Sequence, residues 1–212
     1  MKKLLNDISW FSQGALRINY NGYIIYTDPF DIDHDYHDAD LILISHSHSD
    51  HLSHENIAKV LKNETIFIVP MSISDELNRY FKYQIVEIVP FDVLNLENLV
   101  VEAVPAYNIV KTQKHPLENN WVGYLLTLGD IVLYYTSDTE LIPEMYDIEA
   151  DIIFVPLGQT YTMESVEEAV KAVLATKAKI AVPIHYGKFE GTKEDAQKFK
   201  QLLEGKVEVI LL

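Results

Sequence analysis

The sequence predicts an α+β fold in which two sheets are flanked by helices. Three observations predict it. The apolar runs are short, branched and strand-sized, enough for roughly ten to twelve strands. Two later stretches carry helical periodicity. Strands come first in each half of the chain and helices later, which is the order of an α+β protein.

In chain order, residues 8–18 read as two short strands around the turn that contains Gly14. Asn21-Gly22 is a hairpin signal, and 23–27 is the next strand, closed by Asp28-Pro29. An acidic, aromatic segment follows over 30–40, with His34 and His37. No apolar scaffold holds those two rings, so a mobile loop is expected there rather than a metal site. The run Leu41-Ile42-Leu43-Ile44 is a buried strand. Residues 54–61 form a helix capped by Ser53, 65–69 a strand ended by Pro70, and 72–81 a helix starting at Ser72. Strands follow over 84–89 and 99–104, then a polar loop over 111–120 holding His115. Residues 121–128 and 131–135 form a hairpin around Gly129-Asp130, and 151–155 is a further strand. Val166, Ala169, Val170, Val173 and Leu174 share one helical face, with Thr162 as the expected cap. A strand over 179–184 delivers His185. The last helix, 193–204, opens on the capping-box pattern Thr192…Asp195 and stops at Gly205, and 207–211 closes as a strand.

With 212 residues, 48% of them hydrophobic and 23% charged, the chain reads as one domain, 1–212. No apolar run is long enough to span a membrane. The first residues begin like a signal peptide but meet Asp7 before an apolar core develops, so a cytoplasmic protein is expected. The absence of cysteine excludes a disulfide framework, a thiolate nucleophile and sulfur ligands, leaving nitrogen and oxygen to hold any metal. A net charge of −15, with arginine only at positions 17 and 79, argues against a nucleic-acid surface. Two bound divalent ions would add about +4 locally, so a small anionic substrate is compatible with the acidic chain. Homo-oligomerisation is left open.

Chemistry concentrates at Ser45-His46-Ser47-His48-Ser49-Asp50-His51, on the loop leaving a strand. Imidazole and carboxylate suit divalent zinc, iron or manganese. One turn cannot aim four such groups at one ion without strain. It can divide them, His46 and His48 facing one ion, Asp50 and His51 another. A lone histidine would usually be a core or surface residue; three in six positions with a carboxylate are not read that way. Three more apolar runs end in groups able to bind metal: 99–104 before Asn108, 131–135 before Asp138, and 180–184 before His185. Each alone would be an ordinary turn residue or a hydrogen-bonded histidine. Loops that share one sheet edge suit a preorganised site, and two ions need more ligands than the His cluster supplies.

These residues resemble the metallo-β-lactamase-fold hydrolases, and look closest to the small metal-dependent hydrolases related to ascorbate-6-phosphate lactonase. Trp10-Phe11-Ser12-Gln13 is similar to the family's opening strand, and His46 to His51 to its signature. Val104-Pro105-Ala106-Tyr107-Asn108, with Lys111, His115-Pro116 and Trp121-Val122-Gly123-Tyr124, resembles its middle block. Ser137-Asp138-Thr139, Thr160-Tyr161-Thr162-Met163 and Pro183-Ile184-His185-Tyr186-Gly187 resemble the remaining blocks. The resemblance implies a four-layer αββα sandwich with a two-metal site. It implies His46 and His48 on the first ion, Asp50, His51 and His185 on the second, and Asp138 bridging. Zinc is the first expectation; manganese, iron and nickel are compatible. Two departures stand out. Asn108 occupies the place where many relatives have a third histidine, and His115 is the candidate substitute. Ser137 stands where glycine is common.

Two ions ~3.5–4 Å apart hold a bridging hydroxide at neutral pH, able to attack a small ester, lactone or phosphoester. Asp50 and Asp138 are the expected catalytic carboxylates, and Asn108, His115, Tyr161 and Tyr186 the candidate substrate contacts. Core packing is an equal reading for the two tyrosines, and a solvated side chain the reading for Lys188. The alternatives are a phosphodiesterase or nuclease of the same fold, disfavoured by the acidic charge, and a metal-binding module without turnover, motivated by Asn108.

Overall fold

The computed structural model describes residues Met1–Leu212. The chain folds as two compact units, Met1–Val89 and Pro90–Leu212. The first unit holds the strands β1 (Ile8–Ser12), β2 (Ala15–Tyr20), β3 (Tyr23–Thr27), β4 (Ala39–Leu43), β5 (Leu61–Pro70) and β6 (Gln84–Ile88), in spatial order β1-β2-β3-β4-β5-β6. The first pairings are antiparallel, through the Asn21-Gly22 hairpin; those from β3 onward are parallel. Helices α1 (Lys2–Leu5), α2 (His54–Val60) and α3 (Met71–Tyr80) belong to the same unit. Its core gathers Tyr26, Ile42, Ile44, Ile57, Phe67, Val69 and Leu77. The apolar faces of α2 and α3 therefore meet the alternating inward residues of β3 to β5.

The second unit holds β7 (Val93–Asn95), β8 (Val100–Pro105), β9 (Val122–Leu128), β10 (Ile131–Tyr135), β11 (Ile152–Pro156), β12 (Ile180–Ile184) and β13 (Glu208–Val209), in order β13-β12-β11-β10-β9-β8-β7. The half from β7 to β10 is an antiparallel meander; β10 to β13 pair in parallel, with α4 (Val166–Ala175) and α5 (Lys193–Leu202) in the crossovers. Every residue of β11 and β12 is buried, which explains why both read as unbroken apolar runs.

Several expectations change in detail. Residues 30–40 are fastened rather than loose. Ile32 N–H donates to Asn56 Oδ1, Lys59 Nζ to Ile32 O, and Tyr36 and His37 N–H to Lys59 O. Pro70, not Ser72, precedes α3, and no side chain caps it. Ser165 caps α4 by accepting from Glu168 N–H; Thr162 instead donates its hydroxyl to Gly158 O. The capping box at Thr192 and Asp195 is present. The short helix α1 and strand β7 lay outside the sequence reading; both are too brief to show periodicity.

Candidate functional site

In Met1–Val89 the sheet register sets the donors. β3 and β4 are parallel, with Thr27 opposite Leu43, so Asp28 and Ser45 leave the sheet at the same edge. The β1–β2 turn reaches that edge too, because Ser12 pairs with Ala15 and Leu16 with Thr27. Asp28 is fully buried and takes φ 38°, a left-handed conformation that Asp tolerates better than most residues. Its Oδ1 accepts from Ser45 N–H at 2.7 Å, and its Oδ2 from the Ser45 hydroxyl and from His51 Nδ1 at 2.7 Å. The Ser45 hydroxyl proton is thereby committed to Asp28. Its oxygen must then accept from His46 Nδ1, 2.9 Å away. One buried carboxylate so fixes two imidazoles, His51 directly and His46 through Ser45, each with Nδ1 as the donor. That leaves Nε2 as the lone-pair nitrogen in both rings.

The lone-pair side is where further donors collect. His46 Nε2 lies 3.0 Å from His48 Nδ1. His51 Nε2 lies 3.9 Å from Asp50 Oδ2, which accepts from Gln13 Nε2 at 3.1 Å. His51 and Leu52 N–H both donate to His48 O, closing the turn. Nitrogen and oxygen donors held in this way, with tautomers set by hydrogen bonds behind them, fit a borderline divalent ion. Asp28 also lies within 4.8 Å of His46 and His51 as a possible ligand group. Its oxygens already serve three donors, so its role is to orient the rings. Sequence reasoning gave Asp28 only a turn, since Asp-Pro after a strand is ordinary punctuation.

In Pro90–Leu212 the donors come from separate loops at one sheet edge. Pro105 pairs with Val122, Tyr135 with Tyr124 and Phe154, and Pro156 with Ile184. The loops after β8, β10, β11 and β12 therefore share that edge. The fourth run, before His46, belongs to the other sheet. Asp138 Oδ1 lies 3.2 Å from His185 Nε2, and Asp138 offers an oxygen within 4.8 Å of a His115 nitrogen. All three side chains are buried. His115 packs edge-on against Trp121, its ring centroid 4.5 Å away. Ser137 and His185 adopt φ 59° and 57°. This left-handed region costs a non-glycine residue about 1–3 kcal/mol, and it is the physical reason for glycine to suit position 137. Gly123 is required for another reason. A Cβ there would lie 2.6 Å from Thr136 O and 2.7 Å from Tyr135 O, the backbone that leads to Asp138.

Asn108 is 1% exposed, and its orientation is determined by its neighbours. Nδ2 faces two carbonyls, Tyr161 O at 2.7 Å and Lys111 O at 3.4 Å, so Oδ1 is the other end, buried without a hydrogen-bond partner. Asn108 N–H donates to His115 O at 2.9 Å, which places the amide beside the candidate substitute ligand. Buried Glu140 braces the same loop by accepting from Ile109 and Val110 N–H at 2.7 Å and from Lys111 N–H at 3.0 Å. Tyr161 is 41% exposed, with Lys114 Nζ 4.3 Å from its ring centroid. Tyr186 packs against the apolar core of this unit, and burial raises its phenol above the usual value, keeping it a neutral donor. Lys188 is exposed beside Phe189. Neither His34, paired with Asp33 and stacked on Tyr36, nor His37, bonded to Leu61 O, joins a donor group.

Residues 7–185 match the beta-lactamase superfamily domain. A UPF0173 metal-dependent hydrolase of Pyrococcus horikoshii is 32% identical over 188 residues, covering 84% of this chain and 80% of its own length. The crystal structure of a proposed metal-dependent hydrolase from Parabacteroides distasonis superposes with TM-score 0.84 at 34% identity, over 96% of this chain and 91% of that one. Igni18, a metallo hydrolase of Ignicoccus hospitalis, has TM-score 0.79 at 21% identity, covering 97% and 94%, a likeness of fold. The α+β fold expected from the sequence, that of the metallo-β-lactamases, is thus the fold of these neighbours as well.

Proposed function

The chain belongs to the β-lactamase superfamily, among its metal-dependent hydrolases, and from that premise we propose that it is a binuclear hydrolase of a small ester, lactone or phosphoester. In this reading the two units work as one metallo-hydrolase domain, 1–212. His46 and His48 serve the first ion, with His115 in place of a third histidine. Asp50, His51 and His185 serve the second, and Asp138 serves both. The observation that carries the reading is the position of Asp138 in its own unit, 3.2 Å from His185 and within 4.8 Å of His115. A carboxylate within reach of two histidines suits a bridging ligand. The donors, imidazole and carboxylate without sulfur, suit a borderline divalent ion; zinc is the first expectation, with manganese, iron and nickel compatible.

When bound, such a pair supplies Lewis acidity and an activated water. The chain's own groups do the rest. Asp50, fixed by Gln13, accepts or orients the nucleophile's proton. Asn108 presents a fixed carbonyl oxygen to a donor at the site. Tyr161 and Tyr186 contact substrate through their rings and hydroxyls. The residues that resemble ascorbate-6-phosphate lactonase favour a lactone, and a small anionic molecule in the cytoplasm is compatible with the acidic chain because two bound divalent ions would add positive charge at the site. Purified protein loaded with zinc should hydrolyse at least one member of an esterase, lactonase and phosphodiesterase panel, and chelation should abolish it. Zinc binding without turnover on the whole panel would favour the non-catalytic module instead.

A further inference from the structure

We propose that Glu190 is a positioning residue that links the imidazole of His185 to the segment 158–162, so that ion binding at His185 and the order of that segment are coupled through one carboxylate. The inference rests on His185 being a metal ligand, as proposed above. The Glu190 side chain is only 9% exposed, and its two oxygens face different partners. Oε2 accepts from Thr160 N–H at 2.6 Å and Tyr161 N–H at 3.3 Å. Oε1 stands 3.6 Å from His185 Nδ1, buried and without a hydrogen bond, while the far nitrogen of the same ring lies 3.2 Å from Asp138. A carboxylate behind a ligating histidine fixes the tautomer, holds the ring and raises its basicity.

The backbone is shaped to let Glu190 reach both partners. A Cβ on Gly158 would lie 2.2 Å from Glu190 Oε1 and 2.5 Å from its Cδ. Gly191, at φ 63°, turns the chain where a Cβ would meet Leu157 O at 2.8 Å. The carbonyls of the same segment are held from elsewhere, Gln159 O and Thr162 O by Lys111 Nζ and Tyr161 O by Asn108. Glu190 is what holds the amides of Thr160 and Tyr161. Tyr161 is the exposed ring at this rim, so the link runs from a metal ligand to a substrate contact.

The test uses the full chain stripped of metal, with zinc affinity read by competition against a chromophoric chelator. Hydrogen exchange of the peptide covering 157–163 is followed with and without zinc. In the wild type, zinc should slow exchange there. Glu190→Gln can still accept from Thr160 and Tyr161 but turns an NH2 group toward His185. It should bind zinc about 10-fold or more weakly, and zinc should no longer protect the peptide. Glu190→Ala should also lose the protection seen without zinc; if it does not fold, the glutamine variant decides alone. Zinc affinity within twofold of wild type for Glu190→Gln, or undiminished protection by zinc, would overturn the proposal and leave Glu190 a staple of the loop. His185→Ala separates the two readings. If it binds zinc as the wild type does, the ligand assignment itself fails; if it loses zinc while Glu190→Gln does not, only the coupling fails.

Discussion

The two units present groups able to bind a metal in opposite ways. In Met1–Val89 the histidines are near neighbours in sequence, and buried Asp28 grips His51 at 2.7 Å and His46 through Ser45. In Pro90–Leu212, His115, Asp138 and His185 arrive singly from three loops, two of them next to or on a left-handed residue. The carboxylate behind His185 stands off at 3.6 Å and is shared with a surface segment. The first arrangement is rigid because one turn and one carboxylate determine it. The second depends on the register of four strands and on loops that other side chains brace. Function that must adapt to a substrate is expected on the second, because several separately braced loops carry specificity on a rigid frame.

The largest effect should come from Asp138→Ala, which should abolish turnover and release at least one ion, measured by metal content and assay on the same sample. Full activity in that variant would remove the two-metal mechanism. Next, Asp28→Asn should weaken zinc binding by about 10–100-fold and lower stability by about 1–3 kcal/mol, since one buried donor loses its acceptor. It should exceed Glu190→Gln in both respects; equal effects would mean that the two carboxylates grip alike.

These two carboxylates also mark the limit of what the sequence reveals. The His46–His51 motif stands out in the sequence because its potential donors lie within six residues and no bland role explains them. Strands β11 and β12, and Leu41 to Leu43 of β4, were legible because burial on both faces leaves an apolar run. Asp28 was not, because its importance arises from the parallel register of β3 and β4, which places it beside Ser45. Glu190 sits in a polar, Gly-flanked stretch that reads as solvent loop. The cap of α4 shows the same limit on a smaller scale. Thr162 was the expected cap, but its hydroxyl donates to Gly158 O, and Ser165 accepts from Glu168 N–H in its place.

His115→Ala should reduce zinc stoichiometry or affinity, whereas Asn108→Ala should leave both near wild type and raise KM. The reverse pattern would make the amide the ligand. Gly123→Ala should cost about 1–3 kcal/mol by forcing its methyl against the Thr136 backbone, seen as a drop in Tm with weakened zinc binding. The smallest effect should be Ser165→Ala, a loss of about 1 kcal/mol in thermal unfolding with unchanged zinc affinity, since that cap touches no donor.

The most direct measurement is a crystal structure of the zinc-loaded protein with anomalous scattering at the zinc edge. The account predicts two peaks ~3.5–4 Å apart, each liganded by residues from both Met1–Val89 and Pro90–Leu212. A single peak, or ions held by His46 to His51 with no contact to Asp138 and His185, would contradict it.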